Sequence, residues 1–394
     1  MRTRVMVVDD HSYLDDKVRD GLLAQSSHWD VEIVDSEREA LNVLSLRPCD
    51  VLIAGMNGVD SSGAGTMERL SVESPASIRI ALALPGESKP SGLNFAHRIL
   101  ANPITRDRLS AAIFGAISFK SRLAQSGLAK FVADCEVVPT PDDADLDILE
   151  ELSEPVPDIG RLAGLIQAVP LYARQIVKLA ISLDGAFGTD LASAIALLGS
   201  DIVRAVVVFE SVHRQLPLDR LRRTGLANMR SHGYELAHVA RRIADRADSG
   251  CASPAFVGGL AFVGGLLHDL GLLLLAVNRV GDYRRLLKTA LREDRPLLDA
   301  ERKQFGFNHS DVGAYLMGLW GIPDAQSELL DHHGTARVGD VSSNAIRLAN
   351  LIVGDPGEPR GAIEMRYGRA VAEFDALALD AKLVRELAGI RFCD

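Results

Sequence analysis

The sequence has few cysteines and no excess of basic residues. Its 394 residues include four cysteines with no CxxC pair, which gives no dense disulfide framework and fits a reducing compartment. The formal net charge is −10, whereas capture of nucleic acid needs clustered Lys and Arg, so a broad nucleic-acid-binding face is excluded. The first residues, MRTRVMVVDD, lack the pattern of a signal peptide. We therefore expect a cytoplasmic protein of two or three domains, at roughly 150 residues per domain.

Long hydrophobic runs are also scarce. The segment from Pro254 to Val277 is rich in Gly, Leu, Val and Phe, but His268 and Asp269 interrupt it. Burial of that pair in lipid would be costly. The segment is predicted to be a buried core helix, and no membrane span is expected.

The N-terminal third alternates short apolar runs with helical patterns. This alternation predicts βαβ crossovers and a five-stranded parallel sheet covered on both faces, an α/β fold. Ligands of such sheets collect at the carboxyl ends of the strands, where Asp9 and Asp10 follow the first one. The predicted strands are Arg4–Val8, Val31–Val34, Asp50–Ala54, Ile78–Leu84 and Arg98–Ala101, and the predicted helices are Leu14–Gln25, Ser36–Leu46, Thr66–Leu70 and Thr105–Leu123.

Three motifs in residues 1–123 resemble the receiver domain of two-component response regulators: VMVVDDH, DVLIAGMNGVDSSG and a last strand that ends in Asn102–Pro103. The resemblance implies a flavodoxin-like fold and assigns Asp9 and Asp10 to the acidic pair that binds Mg²⁺. The phosphoryl-acceptor position falls on Gly55, or on Ala54 if the register slips by one. The hydroxyl position falls on Ala83 and the lysine position on Asn102.

Loss of the acceptor carboxylate has a chemical consequence. Without that nucleophile no acyl phosphate forms, and the Mg²⁺ site loses an oxygen ligand. Asp50 begins its strand, at the wrong end of the sheet, and Asp60 lies in the following loop. A displaced Asp as acceptor stays an alternative, but we expect a pseudo-receiver that serves docking and homodimerisation through the helix from Thr105 to Leu123.

An acidic, proline-bearing stretch follows, with ten acidic residues and no Lys or Arg between Asp134 and Asp158. Its apolar residues after Pro141 keep a helical spacing, which predicts a docked helix. The free linker is therefore predicted at 124–134. From there to the C-terminus the spacing of apolar residues is helical and strand-like alternation is absent, which predicts an all-α domain over 135–394.

Histidines and acids punctuate this helical region. In order, the motifs are SH at 231–232, LLHDLG at 266–271, NHSDVG at 308–313, DHH at 331–333 and RLAN at 347–350. Their order, with the opening stretch from Pro139 and the stretch ERKQFGFNHSDVGAYLMGLWGIPDAQSELLDHH, resembles the HDOD subgroup of the HD superfamily of metal-dependent phosphohydrolases. The resemblance covers a core of about 136–353, with further helices to 394.

The resemblance also assigns candidate metal ligands. A catalytic HD site would use His232, His268, Asp269 and an acid at position 350, which is Asn350 here. An Asn offers only a neutral carbonyl, which weakens metal affinity. His309, His332 and His333 stand where two-metal relatives carry further ligands, but the HHG at 332–334 lacks the Glu and the later Gly-Tyr-Pro of the cyclic-dinucleotide phosphodiesterases.

Two interpretations of these residues remain open. In one, the histidines and Asp269 form a hydrogen-bonded network that fixes helix packing. In the other, they hold Fe, Mn or Zn and activate a water for phosphoester hydrolysis. HDOD proteins are generally regarded as non-catalytic, so the resemblance favours a signal-transduction regulator that docks partner proteins, with no cofactor expected. The alternative is a metal-dependent phosphohydrolase acting on a nucleotide such as a cyclic dinucleotide.

Overall fold

The structure is a computed structural model that describes residues 3–9, 14–24, 29–55, 65–75, 77–83, 96, 98–101, 104–106, 109–110, 112–113, 116–117, 127–184, 188–246, 254–293, 295–320, 322 and 341–353. The chain divides into two compact units. The first comprises Met1–Leu165 with Tyr315–Asp324, and the second comprises Ile166–Ala314 with Ala325–Asp394.

The first unit contains a small parallel sheet with the strand order β2-β1-β3-β4-β5, so the predicted α/β pattern with a parallel sheet is confirmed. The strands are β1 (Thr3–Val8), β2 (Trp29–Val34), β3 (Val51–Gly55), β4 (Ile78–Ala83) and β5 (Arg98–Ala101), and the helices between them are α1 (Asp16–Leu23), α2 (Glu37–Leu46) and α3 (Thr66–Glu73). The predicted helix from Thr105 to Leu123 lies largely outside the described residues.

Burial and capping explain these elements. Residues 5–8 of β1 and 51–54 of β3 are fully buried, as expected for central strands covered on both faces. Asp15 accepts a hydrogen bond from the backbone N–H of Val18 and begins α1, and Ser36 accepts one from Glu39 and begins α2. These side chains satisfy N–H groups that lack partners within the first helical turn.

The segment predicted as a free linker is instead partly helical. Within 124–134 the structure has α4 (Leu128–Ala133), in which Leu128 and Phe131 are buried. This part of the segment is therefore packed by its apolar side chains, and the linker bounds 124–134 stay a prediction. The domain boundary predicted at 134–135 stays a prediction.

The described chain from Asp143 onward is helical, which confirms the all-α prediction for this region. A shared core joins α10, α11 and α16, with Leu236, Ala261 and Leu348 among its fully buried members. The helices are α5 (Asp143–Glu151), α6 (Ile159–Gln167), α7 (Pro170–Asp184), α8 (Leu191–Gln215), α9 (Leu218–Thr224), α10 (Met229–Arg246), α11 (Pro254–Leu267), α12 (Leu270–Asn278), α13 (Val280–Arg292), α14 (Leu297–Phe305), α15 (His309–Leu319) and α16 (Val341–Val353).

The apolar stretch from Pro254 is two helices rather than the one predicted. α11 ends at Leu267 and α12 begins at Leu270, so His268 and Asp269 form the turn between them. Among the described residues, Leu191–Gln215 and Phe256–Asn278 are long and apolar enough to cross a membrane, but 94% of the second window is buried inside the protein. Packing in the core therefore accounts for its apolar character, as predicted.

Candidate metal centre

The turn between α11 and α12 carries the two polar residues of an otherwise apolar segment. Asp269 stands at the N-cap position of α12, with φ −100° and ψ 6°, but its side chain makes no capping hydrogen bond. The carboxylate is directed to histidines instead. All eight residues of α12 from Leu270 to Val277 are buried, so this turn lies deep within its unit.

Three imidazoles surround the Asp269 carboxylate. The Nε2 atom of His268 lies 2.9 Å from Oδ2, and that of His232, on α10, lies 3.5 Å from the same oxygen. The Nε2 atom of His309, at the start of α15, lies 3.7 Å from Oδ1. No side chain of the four is more than 11% exposed. We call these four residues the His/Asp centre.

The other ring nitrogens of two of these histidines are already used. The Nδ1 atom of His268 donates a hydrogen bond to the Gly265 carbonyl oxygen at 2.8 Å, and the Nδ1 atom of His309 donates one to Glu301 Oε2 at 2.8 Å. A carbonyl or an ionised carboxylate only accepts, so each Nδ1 carries the proton. In a neutral ring, Nε2 then presents a lone pair toward the Asp269 carboxylate. A cation, either a proton or a metal ion, is required to hold these atoms together.

Asp269 is negatively charged in this setting. Burial disfavours its charge, but His268, His232 and His309 outweigh the burial and hold the pKa of Asp269 well below its usual range. The centre therefore keeps a carboxylate with imidazole nitrogens around it, which is a donor set that Zn, Mn and Fe accept.

Glycines permit the close helix packing that assembles the centre. A β-carbon on Gly271 would overlap the backbone of His309 and Gly313, so α12 and α15 touch at this point. A β-carbon on Gly265 would lie 3.0 Å from the Ala237 Cα atom, so α11 also packs closely on α10. Larger residues at these positions would move His309 or His232 away from Asp269.

A second buried network holds α10 from its other side. Glu210 on α8 is 1% exposed and accepts hydrogen bonds from Arg230 Nε at 2.9 Å and Tyr234 Oη at 2.7 Å. Arg230 and Tyr234 are one helical turn apart, and His232 lies between them in sequence and so on the opposite face. Glu210 therefore anchors the face of α10 that points away from the His/Asp centre.

A family comparison decides the classification of this region. The model of the HDOD domain matches residues 138–336. The chain belongs to the HDOD family. The matched HDOD region contains His232, His268, Asp269 and His309, whereas Asn350 on α16 lies beyond it. No curated protein matches the chain in sequence.

Several solved structures are similar to this chain at low sequence identity. An HDOD domain protein of unknown function from Geobacter sulfurreducens is 20% identical, with a TM-score of 0.45, over 71% of this chain and 97% of its own. A protein described as a candidate phosphohydrolase from Shewanella amazonensis is 17% identical, with a TM-score of 0.48, over 64% and 91%. The MmoQ response regulator from Methylococcus capsulatus is 22% identical, with a TM-score of 0.32, over 65% and 99%.

The donor atoms of three residues of the His/Asp centre, His232, His268 and Asp269, fit one metal ion. The ligand atoms of His232, His268 and Asp269 all lie within 4.8 Å of one another, and ligands of a tetrahedral ion at about 2.1 Å stand roughly 3.4 Å apart. The Nδ1 protons leave the Nε2 lone pairs of His268 and His309 facing Asp269, and a metal-binding histidine usually donates its other ring N–H in this way. When bound, the ion would supply Lewis acidity and an activated water.

The structure describes only one of the three remaining predicted ligands. Asn350 lies on α16, which packs with α10 and α11 in the shared core. His332 and His333 lie outside the described residues. Sequence reasoning did not single out Glu301 or Tyr283. The only signal is the acid eight residues before His309 in ERKQFGFNH, within a helix where other charged residues surround it.

The carboxyl edge of the sheet carries three of the predicted receiver residues. Val8 pairs with Ala54 across β1 and β3, so Asp9, directly after β1, lies at the same edge as Gly55, the last residue of β3, and Ala83 ends β4. Asp10 and Asn102 lie outside the described residues. Asp50 precedes β3 at the opposite edge, where its carboxylate accepts the backbone N–H of Arg4 at 2.8 Å.

Asp9 is bound by its own chain. Its side chain is fully buried and lies 2.9 Å from the Arg19 guanidinium, which also contacts Asp35 at 3.0 Å. The hydrogen bond with Asp35, with Asp9 nearby, raises the pKa of Arg19. Sequence reasoning missed this ion pair, because Arg19 is one of several charged residues in α1.

Proposed function

We propose that this protein is a signal-transduction regulator of two-component type, in which a pseudo-receiver that is not phosphorylated is joined to an HDOD domain that docks partner proteins. It acts in the cytoplasm and pairs with a second copy through the helix predicted at Thr105–Leu123. The HDOD assignment supports the docking role. The carboxyl edge of the sheet supports the loss of phosphorylation.

One observation carries the proposal: the buried Asp9 carboxylate is neutralised by Arg19, and Gly55 stands at the end of β3 beside it. A receiver that accepts a phosphoryl group needs a carboxylate nucleophile and an acid free to bind Mg²⁺. Gly55 has no side chain, and the guanidinium already supplies a positive charge to Asp9. Among the described residues, this edge therefore offers neither a nucleophile nor an unpaired acid.

Treatment with acetyl phosphate and Mg²⁺ tests the proposal. The intact mass of the protein is expected to stay unchanged, under conditions in which a phosphorylatable receiver gains one phosphoryl group. A gain that the Asp60→Asn variant abolishes would establish a displaced acceptor and contradict the proposal.

Docking is tested with partners that co-purify with the full chain and are then reconstituted from pure components. Binding is expected to survive the Asp269→Asn substitution, because a docking role needs the helical surface and not catalysis. Loss of binding in a folded Asp269→Asn variant would tie the partner to the His/Asp centre and count against a purely docking role.

The His/Asp centre favours a second candidate function, a metal-dependent phosphohydrolase acting on a nucleotide such as a cyclic dinucleotide. Elemental analysis of the tag-free protein is expected to find near-stoichiometric Fe, Mn or Zn that is lost in His268→Ala. Hydrolysis of a nucleotide panel by the loaded protein, absent in Asp269→Asn, would then replace the docking role as the main activity. Metal-free, folded and inactive protein would remove this candidate.

A further inference from the structure

Glu301 on α14 is a buried carboxylate that the ligand set of the His/Asp centre does not include. It is 0% exposed, and both of its oxygens are used. Oε2 accepts the backbone N–H of His309 at 2.8 Å and its ring Nδ1–H at 2.8 Å. Oε1 accepts the Tyr283 hydroxyl at 2.5 Å.

These bonds fix His309 in three respects. The carboxylate selects the tautomer that has its proton on Nδ1, so Nε2 keeps its lone pair. Because Oε2 accepts both the ring N–H and the backbone N–H of His309, it fixes the ring relative to the first residue of α15. Tyr283, which is 0% exposed on the inner face of α13, holds the carboxylate itself in place.

A continuous chain of contacts therefore runs from Tyr283 to the Asp269 carboxylate. Tyr283 binds Glu301, Glu301 binds Nδ1 of His309, and Nε2 of His309 lies 3.7 Å from Asp269 Oδ1. A buried carboxylate with three donors and no solvent exposure is costly to desolvate. Simple capping of α15 would need only the backbone N–H, which a neutral side chain could satisfy.

We propose that Glu301, oriented by Tyr283, is a positioning residue that holds Nε2 of His309 beside Asp269 Oδ1, next to a metal site formed by His232, His268 and Asp269. The inference rests on metal binding at the His/Asp centre, which the second candidate function requires. It adds the pair that sets the geometry and tautomer of His309. Outer-shell carboxylates of this kind affect metal affinity by about 10–100-fold.

The test uses the full-length protein and a matched pair of controls. Glu301→Gln and Tyr283→Phe are compared with Glu210→Gln and Tyr234→Phe, because Glu210 and Tyr234 are also a buried Glu–Tyr pair, at 2.7 Å, on the far side of α10. Zn²⁺ and Mn²⁺ affinities are measured by titration calorimetry. The tautomer of His309 is read in the metal-free protein from the ¹⁵N shifts of its ring.

Glu301→Gln is expected to weaken metal binding about 10–100-fold. It is also expected to weaken the Nδ1–H preference of His309, because the amide can present its NH₂ group to the ring as well as its oxygen. Tyr283→Phe, which keeps the carboxylate, is expected to weaken it several-fold. Both controls are expected to stay near the wild-type affinity. If Glu301→Gln does not fold, the metal affinity and the His309 tautomer of Tyr283→Phe decide whether the inference holds.

Two failures are distinguishable. A wild-type protein that binds neither ion would overturn the metal centre and this inference together. Wild-type binding that both Glu301→Gln and Tyr283→Phe leave unchanged, with the His309 tautomer also unchanged, would overturn this inference alone and leave Glu301 as a cap of α15.

Discussion

A β-carbon on Gly271 would occupy the same space as the backbone carbonyl oxygen of His309. Gly271 follows Asp269 by two residues, so the position that must stay small lies next to the acid of the His/Asp centre. The contact sets the distance between α12 and α15. It explains physically why the HDLG motif ends in glycine in this chain.

Gly271→Ala is therefore expected to destabilise the protein by about 1–3 kcal/mol or more, since a buried overlap must be relieved by backbone shifts. The free energy of unfolding in urea measures this. Gly259→Ala in α11 is the control, because nothing lies within 4 Å of its β-carbon, and a helical Gly→Ala change there should stabilise by about 0.5–1 kcal/mol. Equal effects of the two substitutions would contradict the packing argument.

Arg19→Ala is expected to cost about 1–3 kcal/mol, because it leaves the buried Asp9 carboxylate without its ion-pair partner. Arg19 is itself 31% exposed, so the lower part of that range applies. Arg47→Ala removes the exposed pair with Asp30 and should cost less than about 1 kcal/mol. In the double variant with Asp9→Asn, most of the Arg19 effect should disappear; independent effects would show that the pair is not coupled.

His213 makes stability depend on pH. Burial, with the nearby Arg230, lowers the pKa of His213 from 6.5 to about 4, although the hydrogen bond to the Phe209 carbonyl opposes this. As the pH falls from 6.5 to 4, the unfolded chain binds a proton that the folded chain does not, so the contribution of His213 to stability is full above pH 6.5 and is lost on acidification. The loss is at most about 3 kcal/mol. Chemical unfolding of wild type and His213→Gln across this range checks it, and parallel curves would exclude His213 as the source.

Metal loading is expected to stabilise the HDOD region. An ion that binds only the folded state adds about 2.7 kcal/mol when its free concentration is 100 times its Kd. Thermal unfolding with Zn²⁺ or Mn²⁺ should therefore occur at a higher temperature than in chelator. Asp269→Asn should abolish the difference, because it removes the carboxylate between the three imidazoles. An increase of the same size in the unfolding temperature of Asp269→Asn would show that the ion binds elsewhere.

Sequence patterns predicted the helices because their apolar residues recur with a helical period, and the central strands because they are apolar runs. Residues 5–8 of β1 and 51–54 of β3 form such runs, and they are fully buried. The pattern did not predict α4, since a helix with Leu128 and Phe131 as its main buried residues is too short for a period to be visible. Nor did it predict the break at His268, because apolar residues continue on both sides of the turn.

The sequence predicted those site residues whose polarity differs from that of their neighbours in the chain. His268 and Asp269 stand out because a polar pair in an apolar segment needs partners. Glu301 and Arg19 do not stand out, because α14 and α1 contain other charged residues and only the fold makes these two buried or paired. Tertiary packing decides which charged residue of an amphipathic helix faces inward. A local sequence pattern does not contain that information.

The His/Asp centre also joins parts of the chain that are distant in sequence. Its Asp269 is about 40 residues from both His232 and His309, so two long loops close when the three side chains meet, at an entropic cost that grows slowly with loop length. α12 and α15 dock at Gly271 where the second loop closes. An ion held at the centre would therefore act as a reversible cross-link between three separate parts of the chain.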